Sequence, residues 1–136
     1  MKKKEEFVEG ALKENSLAAI YNAHINGADM IETDARFSSD GILIANHNQT
    51  AEGLNDKGEK VTCVVAETPA ETLCSLILSE DDVWGVQRIP TLEQVLNLAY
   101  HPGLQVNIDL KTGYEAAETV AKMVLKCGMI GRDVYA

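Results

Sequence analysis

The decisive stretch of this sequence is Met30-Ile31-Glu32-Thr33-Asp34-Ala35-Arg36, in which uncharged and charged residues alternate from Ile31 onward. This alternation predicts a β-strand, because side chains two positions apart on a strand point to the same face. Glu32, Asp34 and Arg36 would then project together. Two unpaired carboxylates in a poorly hydrated site repel each other, so they need a cation, a shared proton or exposure at a strand end. The strand alone leaves these alternatives open.

Strand and helix signals alternate on both sides of this stretch. Asn15-Ser16 precedes an apolar run over 17–25, and Gly27 follows it, which is typical of a capped helix. A turn at 38–41 leads to a short apolar strand at 42–45. Further along, the sequence predicts a helix over 92–100, a strand over 104–111, a helix over 114–126 and a strand that begins at Val134. This order predicts an α/β fold with a mostly parallel sheet and helices on its faces.

The middle of the chain has weaker signals. The polar segment from His47 to about Lys60 is long enough to predict a functional loop. Thr68-Pro69 predicts the start of a helix that runs to about Leu78. Residues 79–88 are expected to form an acidic loop.

Composition excludes several classes of function. A chain of 136 residues makes about one domain, and a net charge of −9 argues against binding to a nucleic-acid backbone. The lysines after Met1 are followed by Glu5-Glu6 rather than by an apolar region, so the sequence as it stands predicts a cytoplasmic protein. A signal peptide upstream in a longer product stays open. No apolar run is long enough for a transmembrane segment.

A second strand supplies more polar side chains. Along 104–111 the alternation places Asn107, Asp109 and Lys111 on one face. The carboxyl ends of parallel strands usually carry the site in such folds. If the two strands are neighbours, Asp109 and Lys111 join Glu32 and Asp34 at one edge, where oxygen ligands would suit a hard cation and the ammonium would suit a phosphate.

These residues belong to an ordered set of segments that resembles the glycerophosphodiester phosphodiesterase family. The segments are 14–20, 27–29, 31–36, 39–41, 47–48, 89–96 and 107–111. The resemblance extends over nearly the whole chain, and its specificity comes from the order and spacing of the set rather than from any single motif.

The resemblance implies a TIM-barrel hydrolase of lipid and glycerol metabolism, which cleaves a small-molecule glycerophosphodiester to glycerol 3-phosphate and an alcohol. It implies a divalent cation, Mg²⁺ or Ca²⁺, with Mn²⁺ as a further candidate. A TIM barrel takes about 250 residues, so residues 1–136 are expected to form one domain that amounts to about half a barrel, truncated at the C-terminus. We expect either a fragment of a longer product or a homo-oligomer that covers the open barrel edges.

The resemblance also implies roles for individual residues. Lys111 would contact the phosphate, and His47 would exchange protons with the substrate, since histidine titrates near neutrality. Asp109 stands where the family usually has a glutamate. The implied metal ligands are Glu32, Asp34 and Asp109, the implied catalytic residues are His47 and Lys111, and the expected supporting residues are Glu14, Asn15 and Arg36.

Three departures from the family pattern define an alternative. The family begins with His-Arg-Gly, whereas this chain has Val8-Glu9-Gly10, and a glutamate puts negative charge where a phosphate would bind. Asn48 replaces a usual aspartate, and Gly53 stands where a basic residue is common. The third departure is the length. The chain could therefore be an impaired hydrolase, or a non-catalytic relative that binds a metal or a phosphorylated ligand; an unrelated α/β binding domain is the remaining hypothesis.

Overall fold

The computed structural model describes residues 13–100, 102–111, 115–129 and 134–135. Its helices are α1 (Leu17–Ile25), α2 (Ala70–Leu73), α3 (Leu92–Tyr100) and α4 (Glu115–Lys126), with a 3-10 turn at Val65–Glu67. Its strands are β1 (Met30–Phe37), β2 (Leu43–Ala45), β3 (Thr50–Leu54), β4 (Lys60–Val64), β5 (Ile77–Asp81), β6 (Gly85–Arg88), β7 (Gln105–Leu110) and β8 (Val134–Tyr135). They form two four-stranded sheets, ordered β2-β1-β7-β8 and β4-β3-β5-β6.

Strand β1 has the predicted division of its faces. Ile31, Thr33 and Ala35 are buried, while Glu32 is exposed and Asp34 is half-buried on the opposite face. The strand pairs in parallel with β7, and Asp34 lies opposite Asp109 in the register. The two acidic strands are therefore neighbours, as the sequence required for a shared site.

The helices beside this sheet begin at capping residues. Ser16 accepts a hydrogen bond through Oγ from the Ala19 N–H at 3.1 Å, which satisfies one free donor at the start of α1. Thr91 and Gln94 exchange hydrogen bonds between side chain and backbone at the start of α3, the reciprocal pattern of a capping box. A core built from Ile20, Leu96 and Val106 with their neighbours packs the helices onto the sheet.

The prediction of a mostly parallel sheet is wrong. Of the six strand pairs described, β1–β7 and β7–β8 are parallel and the other four are antiparallel. The antiparallel pairs come from β2, which returns beside β1, and from the second sheet, which consists of hairpins. Two-residue turns and short strands suffice for antiparallel pairing, whereas parallel strands need a long crossover.

The second sheet also corrects three predictions in the middle of the chain. The polar loop from His47 is mostly the β3–β4 hairpin, whose turn is closed by the Asn55 side chain. The helix expected to reach Leu78 ends at Leu73, and the acidic loop is the β5–β6 hairpin. Strands β4 and β6 have five and four residues, all of them exposed or half-buried, so they contain too few buried apolar side chains to be identified as strands from the sequence.

A separate apolar cluster supports the second sheet. It consists of Ile44, Ala51, Val65, Leu73, Leu76 and Ile89. Gly53 of β3 lies close to the start of β5: a Cβ at this position would be 2.9 Å from both the Ile77 carbonyl oxygen and the Leu76 Cβ. Close packing therefore explains why the residue at position 53 is a glycine.

The stretch Val8-Glu9-Gly10 lies outside the described residues. No described helix is both long and apolar enough to cross a membrane.

Candidate active site

A cleft of about 280 Å³ opens where β1 and β7 carry their polar side chains. It receives residues from the segment before α1, from both strands and from the loop after β2. Its lining consists of Glu14, Asn15, Glu32, Asp34, His47 and Asp109. The structure thus brings together six of the eight side chains that the sequence singled out, and it places the other two, Arg36 and Lys111, directly beside them.

Asp34 lies at the centre of the polar contacts in this cleft. Its Oδ2 accepts a hydrogen bond from Asn15 Nδ2 at 3.0 Å and lies 3.4 Å from His47 Nδ1. Its Oδ1 lies 3.8 Å from Lys111 Nζ. Only 16% of the Asp34 side chain is exposed, so these partners replace most of its hydration.

Asn15 fixes the position of Asp34. Its Oδ1 accepts hydrogen bonds from Thr33 Oγ1 at 2.9 Å and from the Asp34 backbone N–H at 3.1 Å, while its Nδ2 donates to the Asp34 carboxylate. Asn15 has φ +67°, a left-handed conformation that asparagine tolerates better than most residues. The buried amide therefore ties the segment before α1 to β1.

Lys111 joins the two acidic strands. Its Nζ lies 2.8 Å from Asp109 Oδ2 as well as 3.8 Å from Asp34 Oδ1. The pKa of Lys111 is raised, chiefly by the hydrogen bond to Asp109 and further by the negative charges of Asp109 and Asp34, while the charge of Arg36 opposes the rise. The ammonium is therefore held in its charged form beside the cleft.

Arg36 supports the loop that carries His47. Its Nε and Nη2 donate to the His47 carbonyl oxygen at 3.1 and 2.9 Å. On the other side of the loop, the Asn46 N–H donates to the Asp34 carbonyl oxygen at 3.2 Å. The backbone on both sides of the histidine is thus attached to β1, although half of the His47 side chain remains exposed.

The carboxylates have the chemistry of a cation site. Glu32, Asp34 and Asp109 line the same cleft, and hard divalent cations such as Mg²⁺ and Ca²⁺ take carboxylate oxygens as ligands. Glu32 Oε2 accepts a hydrogen bond from Asn107 Nδ2 at 3.3 Å, and Lys111 lies between the other two carboxylates. The residue types suit such an ion, but among the described residues no three acidic, histidine or cysteine side chains are grouped so as to hold one.

Two side chains in the site were not assigned a role from the sequence. Asn107 bonds Glu32, and its place in the alternation of β7 was the available signal. Asn46 donates through Nδ2 to the carbonyl oxygens of Asn48 and Thr50 and so shapes the loop around His47. No sequence pattern identified Asn46, because its partners are backbone groups brought close by the turn.

An α/β core with carboxylates, a lysine and a histidine gathered at the ends of two parallel strands defines a class of protein whose site lies in the loops after its strands. Within that class the chain belongs to the glycerophosphoryl diester phosphodiesterase family, whose family model matches residues 8–136. The resemblance seen in the sequence is thereby confirmed.

Individual relatives agree with this assignment. A glycerophosphodiester phosphodiesterase from Caldanaerobacter subterraneus is 28% identical over 113 residues, which cover 83% of this chain and 46% of that protein. The crystal structure of the glycerophosphodiester phosphodiesterase from Agrobacterium tumefaciens is 30% identical, with a TM-score of 0.72 over 89% of this chain and 50% of the other. An Oleispira antarctica phosphodiesterase, solved with the product sn-glycerol-3-phosphate, shares the fold at 23% identity, with a TM-score of 0.65 over 88% of this chain and 47% of the other. The chain spans about half the length of these relatives.

Proposed function

We propose that the cleft binds a glycerophosphodiester and hydrolyses it to glycerol 3-phosphate and an alcohol, with the help of a divalent cation. The observation that carries this proposal is the convergence on Asp34 of Asn15, His47 and Lys111, which come from three separate parts of the chain. Membership of the family and the product bound to the Oleispira antarctica relative support the choice of substrate.

The cation would be held by Glu32, Asp34 and Asp109, whose oxygens line the cleft. When bound, such an ion supplies positive charge that neutralises a phosphodiester and helps to orient the attacking oxygen. Lys111 adds a fixed positive charge at the edge of the same cleft, where it would contact a phosphate oxygen.

His47 would carry the proton. Because its Nδ1 faces Asp34, its Nε2 is the nitrogen that remains to protonate the leaving alkoxide or to accept a proton from the attacking group. Asp34 would stabilise the imidazolium that forms in the second case. Arg36 would keep the ring over the cleft through the His47 carbonyl oxygen.

A second candidate function is the binding of a metal or a phosphorylated ligand without turnover. Two observations favour it. Val8 and Glu9 stand where the family has a histidine and an arginine, and Lys111 is already engaged with Asp109 at 2.8 Å. In that case the cleft would keep its cation and phosphate contacts but would lack part of the machinery for proton transfer.

The test is the release of glycerol 3-phosphate from glycerophosphocholine in the presence of Mg²⁺, Ca²⁺ or Mn²⁺. We expect Asp34→Asn to lower the rate by about 10²–10⁴-fold, because it weakens both the cation site and the contact to His47. Asp82→Asn, which makes the same change in the exposed β5–β6 turn, is the matched control and should retain the parent rate.

The outcomes separate the two candidates. Hydrolysis by the parent protein that is lost in Asp34→Asn supports the hydrolase. Mn²⁺ binding that depends on Glu32 and Asp34, without turnover by any ion, supports the binding protein, and turnover gained by Val8→His with Glu9→Arg would identify an impaired enzyme. The absence of both turnover and Mn²⁺ binding would refute both candidates.

We also propose that β1, β7 and β8 form part of a TIM-barrel wall, about half a barrel in this chain, in a cytoplasmic protein of lipid and glycerol metabolism. The support for a barrel wall is the parallel order of these three strands and the helices between them. Association of two or more copies would cover the open edges of the sheet.

A further inference from the structure

We propose that a pocket beside the candidate active site binds a second anionic group of the substrate, a carboxylate on the leaving alcohol, and that the preferred substrates are therefore of the glycerophosphoserine type. This inference rests on the proposed function, because it assigns the alcohol of the same substrate. The pocket, which we call the cationic pocket, measures about 260 Å³ and includes Arg36, Gln49, Val64, Val65 and Lys111 in its lining.

The charges around this pocket favour an anion. Arg36 and Lys111 both line it, and none of its lining residues is acidic. Both side chains line the same pocket, so the positive charge of Arg36 acts on Lys111. A bound anion would offset the repulsion between the two cations, and it would act chiefly on Arg36, since Lys111 also contacts Asp109 and Asp34 in the cleft.

Arg36 has the hydrogen-bonding capacity that a carboxylate requires. Its Nε and Nη2 both donate to the His47 carbonyl oxygen, and its Nη1 makes no hydrogen bond to a described residue. Nor does any described carboxylate form an ion pair with it. The outer edge of the guanidinium can therefore receive a carboxylate in the two-point geometry that arginine favours.

The position of the cationic pocket matches a group attached close to the scissile phosphate. Lys111 lines the pocket while its Nζ contacts Asp34 and Asp109 in the cleft. Arg36 follows Asp34 by two residues on the same face of β1, a separation of roughly 6.5 Å along a strand. In glycerophosphoserine the carboxylate is only a few bonds from phosphorus, so one ligand could reach both places.

The walls favour a compact group over a large polyol. Val64 and Val65 contribute apolar surface, and the exposed Gln49 amide is the remaining polar side chain in the lining. A sugar alcohol would lose hydrogen bonds to water against such walls. A small carboxylate needs only the guanidinium and the amide as donors, while Lys111 Nζ faces Asp109 and Asp34 in the cleft.

The experiment compares two substrates that differ by this carboxylate alone. We expect kcat/KM for glycerophosphoserine to exceed that for glycerophosphoethanolamine by about tenfold, the size of one charge-assisted hydrogen bond in a partly exposed site. Gln49→Glu puts a carboxylate into the cationic pocket and should abolish this preference, because the added negative charge repels the carboxylate of glycerophosphoserine. Gln94→Glu adds the same charge at the capping position of α3, outside the cationic pocket, and should leave the preference intact.

The outcomes distinguish this inference from the proposed function. Equal efficiency on the two substrates, or a preference that Gln49→Glu leaves unchanged, would overturn the inference while the hydrolase stands. If neither substrate is cleaved, the dissociation constants of O-phosphoserine and phosphoethanolamine decide: tighter binding of O-phosphoserine that Gln49→Glu removes supports the cationic pocket, and equal or absent binding refutes it.

Discussion

Asp34 contacts side chains from three separate parts of the chain, and the strength of this arrangement depends on Asn15. The Asn15 amide is buried, it uses both its oxygen and its nitrogen, and its backbone is left-handed. A buried amide with three hydrogen bonds resists movement, because breaking any one of them leaves a polar group without a partner. Asn15 therefore acts as a positioning residue for Asp34.

We predict that Asn15→Ala destabilises the protein. Loss of the buried amide should cost about 1–3 kcal/mol in the free energy of unfolding, and the left-handed φ should add roughly 1 kcal/mol for alanine. Urea denaturation measures the change. Asn15→Gly removes the amide but tolerates the backbone conformation, so its loss should be the smaller of the two.

The control is Asn97→Ala, on the exposed face of α3, which should change the free energy of unfolding by less than about 0.5 kcal/mol. A parent-like Asn15→Ala variant would show that the hydrogen bonds to Asp34 and Thr33 contribute nothing to stability.

Among the elements, strand β3 shows how backbone spacing selects a residue. Leu54 of β3 pairs with Ile77 of β5, and Gly53 lies against the backbone of the segment that leads into β5. A methyl group at position 53 would press against a carbonyl oxygen and a Cβ, neither of which can move without moving the chain.

We therefore predict that Gly53→Ala lowers the free energy of unfolding by about 1–3 kcal/mol through overpacking between β3 and β5. Thermal and urea denaturation would both report it. Glu52→Ala is the matched control on the same strand, since its side chain is exposed and its ion pair with Lys60 is between exposed groups that contribute little. A cost for Glu52→Ala equal to that of Gly53→Ala would contradict the overpacking argument.

The turn between β1 and β2 depends on a charged side chain. Asp40 Oδ1 accepts hydrogen bonds from Ser38 Oγ and from the Ala70 N–H at the start of α2. The hydrogen bond from Ser38 is the main cause of a lowered Asp40 pKa, and the one from Ala70 contributes next. The ionised Asp40 side chain thus links the β1–β2 turn to α2.

This link should weaken in acid. A carboxylate with a lowered folded pKa stabilises the protein above its unfolded value of 3.8, and that contribution is lost as the pH falls through the folded pKa. We expect the urea midpoint to drop as the pH falls below about 5, and to drop less in Asp40→Asn. Asp56→Asn in the exposed β3–β4 turn should follow the parent; if Asp40→Asn does so too, Asp40 is not the group that titrates.

The chain as a whole forms two sheets and two apolar clusters. The first sheet ends in β2 on one side and in the two-residue β8 on the other. Leu125 on α4 is 75% exposed, and Ile25 at the end of α1 is 58% exposed. Residues 90–91 partly cover the outer edge of β2, through the Ile44–Thr91 bridge and the hydrogen bond from the Ala45 N–H to the Pro90 carbonyl oxygen. The exposed aliphatic side chains are therefore what favours association.

We predict that the protein self-associates. Sedimentation velocity should give a mass above the monomer value of 14.8 kDa, with a proportion of oligomer that increases with concentration. Leu125→Lys should shift the distribution toward monomer if α4 forms part of the contact. A monomer at every concentration from low micromolar upward would refute the proposed oligomer.

Local patterns predicted the parts of the fold that local physics controls. The alternation in β1 and β7, the cap at Ser16 and the start of α3 were all readable, because period and capping chemistry belong to neighbouring residues. The sequence did not predict the second sheet. Its strands are short and largely exposed, and Ile77 is in a strand because β3 and β6 pair with it rather than because of its own sequence.

Alternation and resemblance were enough to identify the chemical groups of the candidate site, namely Glu32, Asp34, Asp109, Lys111 and His47. Only the tertiary structure decided how they meet: that Asn15 bonds Asp34, that Lys111 joins Asp34 to Asp109, and that Arg36 supports His47 and faces the cationic pocket. The physical reason is that hydrogen bonds and ion pairs act over a few ångströms, and these partners become neighbours only when the parallel register of β1 and β7 brings distant parts of the chain together.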